Sequence, residues 1–285
     1  MNFLAKNLRG TGVAVVTPFN EDFSIDTESI IRIVDFLIEN GVDYIVVQGT
    51  TGESSTLNKS EKNLSRTAFV NANKGRVPMI LGLGSNDTLS IVNDLRSSQF
   101  SGFSAILSVT PFYNKPSQKG LYKHYSAISK ASPLPIILYN VPSRTGVNML
   151  AKTTIEIASN HSNIIGIKEA CGDLNQVKQL IEKRPKDFMI ISGDDETAVK
   201  TVLLGGDGVI SVAAGCIPKY FTEIIRLALN KNEDLSLKKL NQIQLLLKLL
   251  FAEGNPSGIK SALSSMNLCK NVLRLPLTKV GKDLD

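Results

Sequence analysis

Ile164-Ile165-Gly166-Ile167-Lys168 is an apolar, largely β-branched run ending in a lysine, and the amphipathic stretch Leu174–Lys183 follows it across Cys171-Gly172-Asp173. Such a pair reads as a short buried strand and a helix. The pairing recurs in both directions. Toward the N-terminus the apolar runs are Ile136–Asn140, Ser104–Val109, Met79–Leu83, Tyr44–Gln48 and Val13–Thr17; toward the C-terminus they are Phe188–Ser192 and Val209–Val212. Each is bounded by Gly, Pro or Asp, and each precedes helical sequence such as Thr27–Asn40 or Ser60–Asn73. Apolar strands alternating with helices imply a parallel sheet with crossover helices. Eight such units in roughly 220 residues predict α/β class and a closed (β/α)8 TIM barrel. An open doubly wound sheet would carry a Gly-rich dinucleotide fingerprint after its first strand; Thr17-Pro18-Phe19-Asn20 stands there instead.

The alternation ends near residue 230. Residues 1–230 are read as the barrel and 231–285 as a C-terminal helical extension. The extension holds one long amphipathic helix (Leu235–Ala252), a break at Asn255-Pro256, a second helix to about Asn267, and Leu273-Arg274-Leu275-Pro276. Its leucines are expected to dock on the chain's own barrel rather than on a partner.

Of the 285 residues, 42% are hydrophobic and 20% charged, ample for a large core, and the formal charge is +6. Lys and Arg are spread along the chain without a block of like charge, which argues for a solvated surface and against nucleic acid. A modest positive field favours small anionic substrates. Cys171, Cys216 and Cys269 are odd in number and far apart, as reduced thiols would be. No apolar stretch of signal-peptide length precedes Arg9. The longest apolar run, Leu245–Phe251, is interrupted by Lys248 and falls well short of the ~20 residues that span a bilayer. A cytoplasmic protein without a membrane partner is expected.

Chemistry in such a barrel sits at the C-terminal strand ends. Thr, Tyr, Arg and Lys gather at that rim: Gly49-Thr50-Thr51-Gly52-Glu53 after strand 2, Thr110–Asn114 after strand 4, Tyr139–Arg144 after strand 5, and Lys168-Glu169 on strand 6. Ser192-Gly193-Asp194-Asp195 ends strand 7, and Gly193 is expected to lie against substrate. Strand side chains alternate between faces, which turns Ile165 and Ile167 toward the helices and Gly166, Lys168 and Ala170 into the barrel. Lysine is almost never fully buried unless paired. A desolvated amine is more readily held neutral and can condense with a carbonyl. The competing reading is a strand-end lysine reaching solvent, which suits an apolar strand less well.

Carbon–carbon bond chemistry in a barrel needs an electron sink, an iminium or a metal. The chain has two histidines, His124 and His161, in helical or loop sequence without metal-ligand spacing. Both read as surface or capping residues, so no metal is expected. Tyr139 on strand 5 neighbours strand 6, and its hydroxyl could exchange protons with a Schiff base on Lys168; taken alone it reads equally as a core aromatic. Arg144 suits bidentate capture of a carboxylate, although a surface-turn arginine is an equal reading of that residue by itself.

Five segments together, Gly49–Ser54, Thr110–Pro116, Leu138–Gly146, Ile165–Ala170 and Gly208–Val212, resemble the dihydrodipicolinate synthase family, and the likeness runs from about Gly10 to Pro276. The resemblance implies a lyase that holds pyruvate as a Schiff base on Lys168 and condenses it with L-aspartate 4-semialdehyde, on the diaminopimelate route to lysine. It implies that Tyr139 is the proton donor and acceptor, that Thr50 and Tyr113 complete a relay, and that Tyr113 reaches in from a neighbouring subunit of a homodimer or homotetramer. Thr51 and the Ile210 main chain would hold pyruvate, and Arg144 would receive the carboxylate of the aldehyde. N-acetylneuraminate lyases and 2-keto-3-deoxy-sugar-acid aldolases share the lysine and the strand-5 tyrosine, but sialic-acid lyases typically lack the Ser143-Arg144-Thr145 turn. A non-catalytic barrel would have lost part of this set.

Two departures from the family's pattern stand out. Asn255–Lys260 lacks a second proline that relatives usually carry, which is expected to loosen the last helix at a distance from the chemistry. Lysine-inhibited relatives usually have a histidine where Lys62 stands, an acid at Ser90 and a tyrosine at Phe112. The resemblance therefore implies weak or absent inhibition by free L-lysine.

Overall fold

The computed structural model describes residues 8–284; the N-terminal reading of Met1–Asn7 and the outermost residues of the two expected segments lie outside them. Eight parallel strands close on themselves in sequence order: β1 (Gly10–Ala14), β2 (Tyr44–Val47), β3 (Met79–Gly82), β4 (Ala105–Val109), β5 (Ile136–Asn140), β6 (Ile164–Glu169), β7 (Met189–Ser192) and β8 (Gly208–Ser211). β1 lies three residues earlier than expected, because its ladder to β8 begins at Gly10 opposite Gly208. There the chain needs glycine: Gly208 has φ 151, and a Cβ on it would lie 2.0 Å from the Gly10 carbonyl oxygen.

Alternation sorts the strand side chains into two layers. Val13, Ile45, Val47, Leu81, Ile106, Leu138, Ile167 and Ile190 face outward and pack under the helices. Tyr44, Val46, Ile80, Leu107, Ile137, Met189, Ile191 and Ile210 fill the barrel itself. Tyr44 crosses to donate to the Val209 carbonyl at 3.2 Å, over Gly12, whose missing side chain leaves the ring its room. Ile165 departs from the expected alternation. It joins the inner layer rather than Ile167's, since the β5–β6 register jumps from Ile136–Ile164 to Ile137–Gly166 and leaves Ile165 as an extra residue. The bulge restores Ile167 outward and Lys168 inward.

Helices Thr27–Glu39, Lys59–Asn73, Thr88–Ser97, Gln118–Ala131 and Leu174–Lys183 each begin at a side-chain cap, from Asp26, Asn58, Asp87, Ser117 and Asp173 respectively. Such caps satisfy N–H groups that helix starts leave unpaired. The helix expected over Leu235–Ala252 is two, Glu233–Gln242 and Gln244–Ala252, joined at Ile243 with ψ near 7°. One straight helix could not serve both partners: the first half packs on helices Ala198–Leu204 and Pro218–Leu229, the second on helix Ser257–Ser265. The leucines divide accordingly, Leu240, Leu247 and Leu250 buried, Leu245 and Leu249 exposed. No helix among the described residues is long and apolar enough to cross a membrane.

Candidate active site

The β5–β6 register sets Tyr139 opposite Lys168 and Asn140 opposite Glu169. Tyr139 and Lys168 point into the mouth of the barrel, and the lysine Nζ lies 4.4 Å from the centre of the tyrosine ring. Both side chains are buried. They line a cavity of about 200 Å³, together with Thr50 and Thr51 after β2, Ser143 and Arg144 after β5, and Gly193 and Asp194 after β7. The lysine has room because of Gly193, where a Cβ would lie 2.6 Å from Ala170 Cβ and 3.0 Å from Lys168 Cε.

Arg144 rides on a short helix, Pro142–Thr145, that starts on a proline and ends at Gly146 with φ 75. The guanidinium is at the exposed lip of the cavity. Of the other expected residues, the Ile210 side chain is buried in the inner layer, and Val212, two residues on, lines the cavity. The Val212 and Ala213 amides both donate to the buried Asp195, at 3.1 and 2.9 Å, whose carboxyl is pushed up by burial. Tyr113 stands outside the cavity, 84% exposed, with φ 73. A second cavity, of about 490 Å³, shares Thr50, Tyr139 and Arg144 with the first and is also lined by Ser54, Ser55, Lys62 and Phe112. His124 is not the surface or capping residue expected of it. It is buried, its Nδ1 is 2.8 Å from Thr88 Oγ1, and desolvation pushes its imidazole down to about 4.

Behind Lys168 and Tyr139 lies a polar hub that the strand pattern alone did not single out. Glu169, turned away from the barrel, accepts from Asn140 Nδ2 at 2.9 and 3.1 Å, from Gln176 Nε2 at 2.9 Å and from the Cys171 amide at 2.8 Å. Burial pushes its carboxyl up against the pull of these donors. Asn140 also donates to Asn148 Oδ1 and accepts from the Met149 amide, at 2.7 and 2.9 Å, and so closes the turn that carries Arg144. One carboxylate thereby joins the strand of Lys168, the strand of Tyr139 and the base of the arginine turn. A charged residue beside Lys168 on the helix-facing side was the signal available in the sequence, since a carboxylate there must find donors. Cys171, close by, has its thiol pushed up to about 12, first by burial and then by the Glu169 charge, and is no rival nucleophile at neutral pH.

Asn255 was also missed. The Asn255–Lys260 departure is not remote from the chemistry: Asn255 lines the cavity and its Nδ2 donates to Thr51 Oγ1 at 3.0 Å. The last helix runs Ser257–Ser265, and Ser257 Oγ donates to the Thr278 carbonyl at 2.8 Å. Gly258 lies where a Cβ would come within 2.4 Å of the Leu250 carbonyl oxygen, which lets the two helices close on each other.

Fold and site together define a (β/α)8-barrel protein built around an inward-facing lysine. The chain belongs to the dihydrodipicolinate synthetase family, whose model matches residues 7–285. It is 49% identical to a 4-hydroxy-tetrahydrodipicolinate synthase of Flavobacterium psychrophilum, over 96% of this chain and 94% of the relative. It is 48% identical to one of Parabacteroides distasonis, over 95% and 91%. Among solved structures, dihydrodipicolinate synthase of Thermotoga maritima superposes with a TM-score of 0.94 at 39% identity, covering 97% of this chain and 94% of that one.

The hub yields a prediction about stability. Glu169→Ala strands donors that now share one carboxylate, at about 1–3 kcal/mol for each buried group left unpaired. Urea denaturation should show a loss of that order or more, and Glu169→Gln, which keeps one carbonyl acceptor, should fall between the two. A Glu169→Ala protein as stable as the parent would remove the hub from the account.

Proposed function

We propose that this chain is a lyase that holds pyruvate as a Schiff base on Lys168 and condenses it with L-aspartate 4-semialdehyde to give 4-hydroxy-tetrahydrodipicolinate. The observation that carries the reading is the buried Lys168 amine over the Tyr139 ring, 4.4 Å from its centre, in a cavity with an arginine at its lip. The relatives named for this activity, nearly half identical over almost the whole chain, support the choice of substrates. Residues 1–230 are taken as the catalytic barrel and 231–285 as an extension packed on it, in a cytoplasmic enzyme that needs no dissociable cofactor.

The chemistry follows from the amine. Lys168 Nζ adds to the C2 carbonyl of pyruvate, and the carbinolamine loses water to leave an iminium. That cation draws electrons from the methyl group, which gives up a proton and becomes an enamine carbon. The enamine attacks the aldehyde carbon, and the aldehyde oxygen takes up a proton. The second substrate's amino group then adds at C2 and expels the lysine amine, closing the ring and freeing the enzyme. Each step moves a proton near Tyr139, whose hydroxyl serves as donor and acceptor, with Thr50 and Tyr113 relaying protons onward. Thr51 Oγ1 already accepts from Asn255, so its own hydrogen is available to the pyruvate carboxylate, alongside Gly193 and the Ile210 main chain. Arg144 at the lip takes the carboxylate of the incoming aldehyde. Tyr113, with 84% of its surface exposed on a left-handed backbone, suits a residue that enters a neighbouring copy's cavity in a homodimer or homotetramer.

The covalent step and the second substrate can be separated. Borohydride with pyruvate should trap an adduct on Lys168 and leave none in Lys168→Ala. Arg144→Ala should retain trapping yet lose about 1.5–3 kcal/mol in aldehyde turnover, the scale of a charge-assisted hydrogen bond. An adduct on another lysine, or equal loss of trapping and turnover, would contradict these roles. For Tyr113, mixing inactive Tyr113→Phe and Lys168→Ala subunits should restore partial activity in hybrid dimers; confirmed hybrids without activity would return Tyr113 to its own subunit's site.

Regulation gives a further test. With Lys62 and Ser90 in place of a histidine and an acid, an effector α-amino group lacks a charge-assisted partner worth about 1.5–3 kcal/mol. That is roughly tenfold or more in affinity. L-lysine at submillimolar concentration should leave turnover unchanged, and Lys62→His with Ser90→Glu should introduce sensitivity. Strong inhibition of the unaltered enzyme would refute the expectation.

A further inference from the structure

Lys260 is wholly buried yet lies outside the cavity and takes no part in the chemistry above. Its Nζ sits 2.5 Å from Glu53 Oε1, donates to the Val272 carbonyl at 2.7 Å, and lies 4.2 Å from the centre of the Phe19 ring. Desolvation pulls the amine down from the usual lysine range, and the Glu53 carboxylate opposes it. An ion pair buried this deeply is weak evidence of stabilisation, because well-packed apolar replacements often do as well. Its location suggests another use.

Glu53 ends the turn that carries Thr50 and Thr51. Its backbone is left-handed at φ 49. Its amide donates to the Thr50 carbonyl at 3.1 Å, and its own carbonyl accepts from the Thr56 amide at 3.0 Å. Wherever the carboxylate is held, the turn is held with it. Oε2 accepts from the Arg274 amide at 3.2 Å, so both carboxylate oxygens are engaged by the C-terminal segment. A second tether, Asn255 to Thr51 Oγ1, leaves the same segment five residues before Lys260. One helix start, with Asn255 just before it and Lys260 in its first turns, thus grips both the middle and the end of the threonine turn.

We propose that Lys260 is a positioning residue: through Glu53 it sets the Thr50-Thr51 turn against bound pyruvate, and the C-terminal segment is thereby part of the pyruvate subsite. This rests on the assignment of Thr51 to pyruvate. Misplacing a substrate contact by about an ångström can cost up to a hundredfold, while a buried charge without its partner costs stability whatever its role. The double variant Lys260→Met with Glu53→Gln separates the two effects, since it removes both charges at nearly constant volume.

Urea midpoint, kcat, and KM for pyruvate are measured on the full chain for Lys260→Met, Glu53→Gln and the double variant, with Thr51→Val alongside. The single variants should lose stability and the double variant should regain most of it, while KM for pyruvate in the double variant stays about tenfold or more above the parent's. A double variant with both stability and KM restored would reduce the pair to a structural contact and overturn the inference. If Thr51→Val leaves KM for pyruvate unchanged, the assignment of Thr51 fails first, and the inference falls with it. Should the double variant not fold, Glu53→Asp keeps both charges but shortens the reach by one methylene; it must then show the raised KM, and a parental value would overturn the inference equally.

Discussion

The alignment of β5 with β6 is the constraint on which the site depends. Neighbouring strands in a parallel sheet can slip, and a slip of one residue would turn Lys168 out toward the helices. The bulge at Ile165 brings the ladder back into step, so that Tyr139 meets Lys168 and Asn140 meets Glu169. On the inner side this pairs an amine with a phenol. On the outer side it pairs an amide with a carboxylate that cannot be solvated and takes its donors from β5, helix Leu174–Lys183 and the loop that leads from β6 into that helix. The Lys168–Tyr139 pair and its brace are two faces of one register. The buried amides hold the alignment without occupying the cavity.

Clearance around the amine is settled by residues that have no side chain. Gly193 lies against Lys168 and Ala170, and nothing larger leaves the lysine its extended path to the cavity. At the other end of the barrel, Gly12 admits the Tyr44 ring, which plugs the interior. The cavity is therefore floored by packed side chains and open where the β-to-helix loops converge. This is how a barrel keeps its core and still offers a pocket at one rim.

The C-terminal segment enters the same economy. Asn255 touches Thr51, Lys260 and the Arg274 amide engage Glu53, and the Arg274 guanidinium continues to Glu61 and the Thr56 carbonyl. Contacts more than 200 residues apart in sequence thus shape the β2 loop, which by itself is a short turn with two left-handed residues, Gln48 and Glu53. The loop is read most simply as a surface that the segment completes.

Much of this was legible in the sequence for a physical reason. Strand and helix periodicity are local, so the eight units, the inward direction of Lys168, and the rim bearing Thr50, Thr51, Tyr139 and Arg144 could all be placed from spacing alone. Neighbouring strands in a barrel are also neighbours in sequence, which brought Tyr139 beside Lys168 before any coordinates. Other features belong to the tertiary structure. The bulge at Ile165, the bend at Ile243 and the burial of His124 arise from pairing and packing between distant segments, to which local periodicity is blind. Asn255 and Lys260 carry no sign of their contacts in their own stretch of sequence, and Glu169 shows only a charge that must find donors; what gives each its place is the partner that only folding supplies. The sequence by itself determined the barrel, its inward-facing lysine and the polar rim at the C-terminal strand ends, because those follow from alternation along the chain. Only the tertiary structure decided how the amine is seated and what holds the turns around it, because buried polar groups must find partners wherever the fold brings them.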